Sequence, residues 1–565
     1  MMPLHLELPP LRLSDWRKKF VILCVMTILV VPVIAGAWRL STFVVQANEE
    51  VARRYHYYEH LPAHRGDIVD AAGNPLAVST EVYEVRADTK VLSEHDSVRL
   101  PALLPRLAEA LQMSEEDLGD KLANGGRAVL LHKALPPVRA QQLQNMHLLG
   151  LRVDYTSKRY YPQKEYAASV LGYTNHEDVG RAGIEFMRHQ TLASAAGKDS
   201  GMRARNGVRL TQTDVQPARA GHTITLSIDS RLQFYAHEEL RRALHHHGAA
   251  AGAAAVMDAR TGDILALASL PSFNPNNISG GGNKKNRALT DAVEPGSLAK
   301  PFVVAAALQR NLARANEVFP TAKPMRIGGV IVKDSHIDED LTVSGILQKS
   351  SNIGAVMLAE RVGKESLWEL YQRLGFGGGK VLDMPGETKG SLRSYKNWRP
   401  ADFVTHAYGY GFSVSLLQLL RGYSVFANDG VLIEPRLETD LPLLLRQRVL
   451  SADVARQVRT IMEGVTRPGG TATRAAITGY RVAGKTGTAK KHGPNGYLNN
   501  VYRAFFIGIA PASRPRYIVA VMIDEPSKNG YTGGVAAAPV FRNIVRRALL
   551  LNGIAPDMAP VFGDV

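Results

Sequence analysis

The longest apolar run in the chain, Phe20 to Trp38, holds 19 residues without a charge. At about 1.5 Å per residue it is long enough to cross a hydrocarbon core of roughly 30 Å, which predicts a transmembrane helix over 20–38. Arg12, Arg17, Lys18 and Lys19 precede the run and Arg39 alone follows it at once. That asymmetry predicts a cytoplasmic tail over 1–19 and an exported remainder. Ala35-Gly36-Ala37 resembles a signal-peptide cleavage site. The run is longer than a typical signal core, and Trp38 with Arg39 suits an interfacial anchor, which favours a retained span.

Beyond the anchor the periodicity changes. Leu40, Phe43, Val44, Ala47 and Val51 recur near helical spacing and predict a stalk helix over 39–58. His64 to Val78 then reads as two short strands around an Ala-Gly-Asn turn. Helices are predicted at Leu104–Gln112, Glu115–Ala123 and Val138–Met146. Arg159 to Pro162, Gly172 to Asn175, Gly180 to Glu185 and Arg203 to Gly207 are glycine and arginine punctuations with little catalytic character. Residues 39–220 therefore read as an elongated, non-catalytic pedestal. From Ala220 an alternating strand leads into a helix over Arg231–Leu244, and Ala253–Asp258 with Ile264–Ala268 form a hairpin. The second domain is placed at 221–565.

Composition narrows the function classes. A chain of 565 residues exceeds one ordinary core, and 45% hydrophobic with 21% charged residues describes globular material. The net charge of +16 is compatible with nucleic acid, a membrane surface or an anionic polymer. No zinc-finger spacing or RNA-binding aromatic signature occurs and the basic residues are spread along the chain, so no nucleic-acid partner is expected. The only cysteine, Cys24, lies inside the predicted span, which leaves the exported part without a thiolate site or an intrachain disulfide. His245-His246-His247 are adjacent and do not converge on one ion, so no metal is expected.

Candidate chemistry begins at Glu294-Pro-Gly-Ser-Leu-Ala-Lys-Pro-Phe302. Pro295-Gly296 reads as a turn, and the helix formers after Phe302 place a helix start at or near Ser297. Ser297 and Lys300 are three residues apart and share a helix face, so the amine can take the hydroxyl proton as the oxygen attacks a carbonyl. Alone, Ser-x-x-Lys is equally a serine cap with a solvated lysine. Two further motifs follow in order: Ser350-Ser-Asn352, at a loop or helix start, and Gly484-Lys-Thr-Gly-Thr488, at the end of a buried strand whose glycines admit a ligand backbone.

Ser297 to Lys300, Ser350 to Asn352 and Lys485 to Gly487 resemble, in order, the active-site set of penicillin-binding proteins and serine β-lactamases. Arg65-Gly-x-x-x-Asp70, Arg159 to Pro162 and Gly180 to Glu185 resemble pedestal motifs of class B penicillin-binding proteins. Asn286-Arg-Ala288, Glu294-Pro-Gly296, Tyr408-Gly-Tyr-Gly411 and Asp524-Glu-Pro526 look most like the division-type members from Gram-negative bacteria. One departure is visible. The family commonly carries Thr and a β-branched or Met residue between Ser and Lys, where this chain has Leu298 and Ala299.

The resemblance implies an α+β protein: a membrane anchor, a pedestal, and a transpeptidase domain with an antiparallel sheet flanked by helices. It implies a D,D-transpeptidase without cofactor or metal, acting on the D-Ala-D-Ala ends of peptidoglycan stem peptides and acylated by β-lactams. In that scheme Ser297 is the nucleophile, Lys300 its base, Ser350 a proton relay, and Asn352 holds a substrate amide or Lys300. Lys485, Thr486 and Thr488 bind the terminal carboxylate beside Gly487, and the backbone N–H groups of Ser297 and Thr488 receive the oxyanion. Tyr408, Tyr410, Tyr502 and Tyr531 are expected as an aromatic wall. The resemblance also implies a single-pass protein of the inner membrane with a periplasmic catalytic domain, working at the septum with an FtsW-type glycan polymerase and other divisome membrane proteins. A carboxypeptidase or β-lactam-hydrolysing enzyme would use the same acylation set, although a deacylating Glu-x-x-Leu-Asn signature is absent after Ser350. A penicillin-binding sensor or scaffold without turnover is the third class.

Overall fold

The structure, a computed structural model, describes residues 15–61, 63–125, 128–203, 209–327, 329–334, 339–442, 446–493 and 496–558. Most of the predicted cytoplasmic tail and of the Arg203–Gly207 stretch lies outside them. The chain divides into two compact units, 1–63 with 195–219, and 64–194 with 220–565.

In the first unit one helix runs unbroken over Asp15–Tyr55, and its Asp15–Gln46 part is long and apolar enough to cross a membrane. The predicted span and most of the predicted stalk are thus one continuous helix. It ends at Tyr55 rather than Tyr58, because His56–Leu61 is a strand pairing antiparallel with Gly197–Arg203, which in turn pairs with Arg209–Gln216. Here strand pairing with a distant segment overrides local helical spacing.

The second unit contains the rest of the pedestal. Pro75–Ala87 is its long central strand, bordered by Leu151–Tyr160 from Val78 to Ala87, by Ile68–Val69 at its start and by Val129–Leu135 at its far end. The helix predicted from Leu104 begins earlier, at Leu100, with Pro101 in its first turn, so that Pro105 lies inside it and removes one helical bond. The arginine punctuations converge. Glu185, fully buried, accepts from Arg65 Nε at 2.7 Å and from Arg159 Nε at 2.7 Å. Tyr161 Oη donates to the same carboxylate at 3.4 Å. Asp70 accepts from the Ala72 and Asn74 amides and, at 2.5 Å, from the hydroxyl of Ser230. Ile68 pairs in parallel with Ile224, so the chain re-enters this unit on a pedestal strand.

From Ser230 the elements form three layers. Chief among them are α1 (Ser230–His247), β1 (Ala251–Asp258), β2 (Ile264–Leu270), α2 (Lys300–Gln309), α3 (Val343–Lys349), α4 (Asn352–Val362), α5 (Leu416–Ala427), β3 (Ala483–Gly493), β4 (Gly496–Ala510), β5 (Tyr517–Asp524) and α6 (Ala538–Leu551). The sheet order is β2-β1-β5-β4-β3, antiparallel throughout, which leaves β3 as one edge and β2 as the other. Alternation along the strands serves two cores. Ala253, Ala255, Met257, Ala520 and Met522 pack with α2, α4 and α5, while Ala254, Val256, Val519 and Val521 pack with α1 and α6. Helix α2 is buried on all sides from Lys300 to Leu308. Phe302 anchors it, with ring centroids 5.3 Å from Tyr423, 5.2 Å from Phe426 and 5.4 Å from Phe376.

Removing Glu185 leaves two buried guanidiniums without their carboxylate. Glu185→Ala is expected to cost about 3 to 5 kcal/mol and to lower the first thermal transition of the full chain in scanning calorimetry. An unchanged transition would contradict a supporting role for this cluster.

Candidate active site

The expected helix start at Ser297 takes a tighter form. Gly296–Ala299 is a single 3-10 turn and the α-helix begins at Lys300. At three residues per turn, side chains at i and i+3 eclipse one another, so this turn stacks Ser297 over Lys300 more directly than an α-helix does. The turn is clamped from three sides. Gly296 N donates to Gly409 O at 2.9 Å, Leu298 N to Pro295 O at 3.3 Å, and Tyr423 Oη to Leu298 O at 2.9 Å. Gly409, at φ +86°, admits no side chain, since a Cβ there would lie 2.0 Å from Gly296 O.

Lys300 is fully buried and its ammonium has three acceptors: Ser350 O at 2.5 Å, Asn352 Oδ1 at 2.7 Å and Ser350 Oγ at 3.3 Å. None of these bonds goes to Ser297 Oγ. Desolvation pulls the lysine pKa down to about 7, against the opposing pull of the Asp334 carboxylate. Ser350 lies between α3 and α4 at φ +64°, a left-handed conformation uncommon for a residue with a side chain. In this conformation it bonds Lys300 through both its carbonyl and its hydroxyl. Ser351, also fully buried, caps α4 by accepting from Gly354 N at 2.9 Å.

Lys485 is buried to the same degree on edge strand β3. Its Nζ donates to Ser350 Oγ at 2.8 Å and to Thr486 O at 3.2 Å. Burial, and after it the neighbouring Lys300 charge, depress its pKa well below the usual lysine value. Two buried amines sharing one hydroxyl titrate as a pair, in which protonation of one opposes protonation of the other. Thr486 Oγ1 is 2.9 Å from Thr471 Oγ1, and Thr488 Oγ1 accepts from Gly533 N at 3.1 Å. Gly487 lets the strand pass close to the turn, because a Cβ there would lie 3.0 Å from the Leu298 side chain and 3.2 Å from Pro295 O.

Above these groups opens a cleft of about 720 Å³. Of the expected residues, Ser297, Ser350, Asn352, Thr486, Thr488, Tyr408, Tyr410 and Tyr502 line it. Lys300 and Lys485 lie beneath its floor. Tyr531 is not among the lining residues; its exposed ring stacks on Tyr502 with centroids 4.4 Å apart. Leu298 and Ala299, where the chain departs from the usual motif, are fully buried and absent from the lining.

Sequence reasoning missed Asp334, which lines the cleft and accepts from the Ser351 hydroxyl and from the Asn352 and Ile353 amides. It sits in a loop with no motif around it, so only the fold brings it to the α4 N-terminus. Tyr497 and the role of Glu294 were missed too. Glu294 accepts from Gly411 N at 2.8 Å and from Tyr497 Oη at 2.8 Å, which ties the chain just ahead of the 3-10 turn to the rim of the cleft.

Comparison with known proteins adds an independent line. Residues 252–546 match the family profile described as "Penicillin binding protein transpeptidase domain", and residues 60–226 that described as "Penicillin-binding Protein dimerisation domain". The chain is 36% identical to the peptidoglycan D,D-transpeptidase FtsI of Escherichia coli K12, over 97% of this chain and 94% of that one. It is 38% identical to the "Probable peptidoglycan D,D-transpeptidase PenA" of Neisseria meningitidis, over 98% and 96%. Among solved structures, penicillin-binding protein 3 of Mycobacterium tuberculosis complexed with aztreonam aligns with a TM-score of 0.69 at 28% identity, covering 88% of this chain and 98% of that one.

Because Leu298 belongs to the core, Leu298→Thr is expected to cost about 2 to 4 kcal/mol through lost packing and a buried hydroxyl. Thermal unfolding of the full chain checks this. A changed reactivity of Ser297 with an unchanged transition would contradict the buried placement.

Proposed function

The chain belongs to the penicillin-binding protein transpeptidase family, with a dimerisation domain ahead of the transpeptidase domain, and on that premise we propose that it works through an acyl-enzyme on Ser297. The protein is a peptidoglycan D,D-transpeptidase. The observation that carries the residue assignment is a fully buried Lys300, one turn from Ser297, whose pKa lies at about 7.

A general base is most effective when its pKa lies near the working pH, and an exposed lysine is far from that condition. Burial corrects it. In the proposed route the Ser297 oxygen attacks the carbonyl of the penultimate D-Ala while its proton passes to Lys300 Nζ. The backbone N–H groups of Ser297 and Thr488 receive the oxyanion. As the peptide bond breaks, the departing D-Ala amine takes a proton relayed from Lys300 through the Ser350 hydroxyl, which bonds both lysines. The amine of a second stem peptide then attacks the ester, forms the cross-link and releases Ser297.

Lys485 binds the terminal carboxylate from below, with the Thr486 and Thr488 hydroxyls in the cleft. A bound carboxylate favours a proton on Lys485, and that charge favours the neutral form of Lys300. Substrate binding thereby readies the base. Strand β3 is a sheet edge, so its free backbone groups offer a ladder to an extended stem peptide, with Asn352 positioning Lys300. Tyr408, Tyr410 and Tyr502, with Tyr531 behind Tyr502, form the aromatic side of the cleft.

We further propose a tail at 1–19, an anchor over 20–38, a pedestal over 39–220 and a catalytic domain over 221–565. The basic residues Arg17 to Lys19 immediately before the uncharged run 20–38 support a cytoplasmic tail and a periplasmic catalytic domain in the inner membrane. Likeness to FtsI supports septal work beside an FtsW-type glycan polymerase and other divisome membrane proteins.

The full chain in detergent, given labelled penicillin, should be acylated at Ser297, and Ser297→Ala should take up no label. With a stem peptide and an acceptor amine it should form the cross-linked product. Release of D-Ala with free acid and no transfer would instead indicate a carboxypeptidase.

A further inference from the structure

A second cavity, of about 470 Å³, lies away from the cleft. It is lined by Glu165 and Tyr166 of the pedestal, by Phe234, His237, Glu238 and Arg241 of α1, and by Leu270 and Ser272 at the end of β2. Because β2 and β3 are opposite edges of the sheet, this cavity and the cleft flank opposite sides of the same domain.

His237 is part of its wall. The residue is 3% exposed, both of its ring nitrogens are covered by protein, and Nδ1 lies 3.9 Å from Glu238 Oε1. Burial pushes the His237 pKa down, which leaves a neutral ring in the cavity wall. The ring packs against Tyr166 at 4.8 Å, and Tyr166 against Phe234 at 4.8 Å. Phe234 is nevertheless 38% exposed, an open aromatic face at the mouth. Glu165 has no side-chain hydrogen bond among the described residues, while Glu238 is held by Arg241 at 3.0 and 2.7 Å.

These groups discriminate between ligand classes. Two carboxylates disfavour an anion, Arg241 disfavours a compact cation, and the Glu165 carboxylate, without a hydrogen bond among the described residues, disfavours a purely apolar occupant. A neutral polyhydroxylated ring with one apolar face satisfies all three: its C–H face covers Phe234, and its hydroxyls donate to Glu165 and accept from Arg241. We propose that this cavity binds a sugar ring of the glycan strand that carries the stem peptides. The assignment rests on the transpeptidase reading, since that substrate is attached to an amino-sugar polymer. A strand seated at β2 is held to the enzyme while its peptides are processed at β3.

The test uses the full chain in a sugar-free zwitterionic detergent, with di-N-acetylchitobiose as probe and saturation-transfer NMR as readout. The parent should transfer saturation to the sugar ring protons. Phe234→Ala, Glu165→Gln and Arg241→Gln, none of which touches the cleft, should each raise the dissociation constant about tenfold. All three should keep labelled-penicillin acylation of Ser297, which reports an intact fold. No transfer in the parent, equal constants in the variants, or displacement of the sugar by putrescine overturns the sugar site. A parent that binds the sugar but takes no penicillin would instead count against the transpeptidase reading while supporting the cavity.

Discussion

Burial of the Lys300 ammonium is the constraint on which the rest of the site depends. A charged amine in an apolar helix is costly, and the fold meets that cost by letting the group lose its proton and by surrounding it with oxygen acceptors. Each acceptor makes its own demand. Ser350 must adopt a left-handed conformation to bond the lysine through both its carbonyl and its hydroxyl, and Asn352 must open a helix whose cap, Ser351, is itself buried. The aromatic packing of Phe302 and the three-layer sandwich around it keep this helix out of water. Stability and reactivity therefore share one cause: the packing that buries α2 is the packing that neutralises its lysine.

The second buried amine turns a single base into a coupled device. Lys485 meets Lys300 across one serine hydroxyl, so each responds to the charge on the other. In the proposed route an anionic substrate group above Lys485 acts on Ser297 through this pair. The edge position of β3 places that pair beside free strand hydrogen bonds, while the glycines at 409 and 487 bring the serine turn against the strand.

Much of this was legible in the sequence where chemistry is carried by local spacing. The apolar run at the N-terminus, the hairpin at Ala253 to Ala268, and the order of the three motifs depend on neighbouring residues, and the structure brings Ser297, Lys300, Ser350, Asn352 and Lys485 to one place. What escaped depends on long-range packing. Arg65, in the predicted strand pair, and Arg159, in a predicted punctuation, read as unrelated because nothing local indicates that both reach Glu185. Asp334 sits in a loop without a motif, and Glu294 gains its partner Tyr497 only when β4 folds beside the turn. Leu298 and Ala299 drew attention as departures within the active-site motif, yet the 3-10 turn directs both into the core. Periodicity also failed at Tyr58 and Pro105, where strand pairing and an earlier helix start prevailed.

The most direct test of a lysine neutralised by burial is the pH profile of the acylation rate constant for labelled penicillin, followed on the full chain from pH 5 to pH 10. The neutral fraction of Lys300 grows as pH rises through about 7, so the rate should climb through that value and level off above about pH 8. In Asp334→Asn the midpoint should move to lower pH, because the lost carboxylate was holding the lysine pKa up. A rate that keeps rising to pH 10, as for a solvated lysine, or that stays flat across the range, would contradict the account.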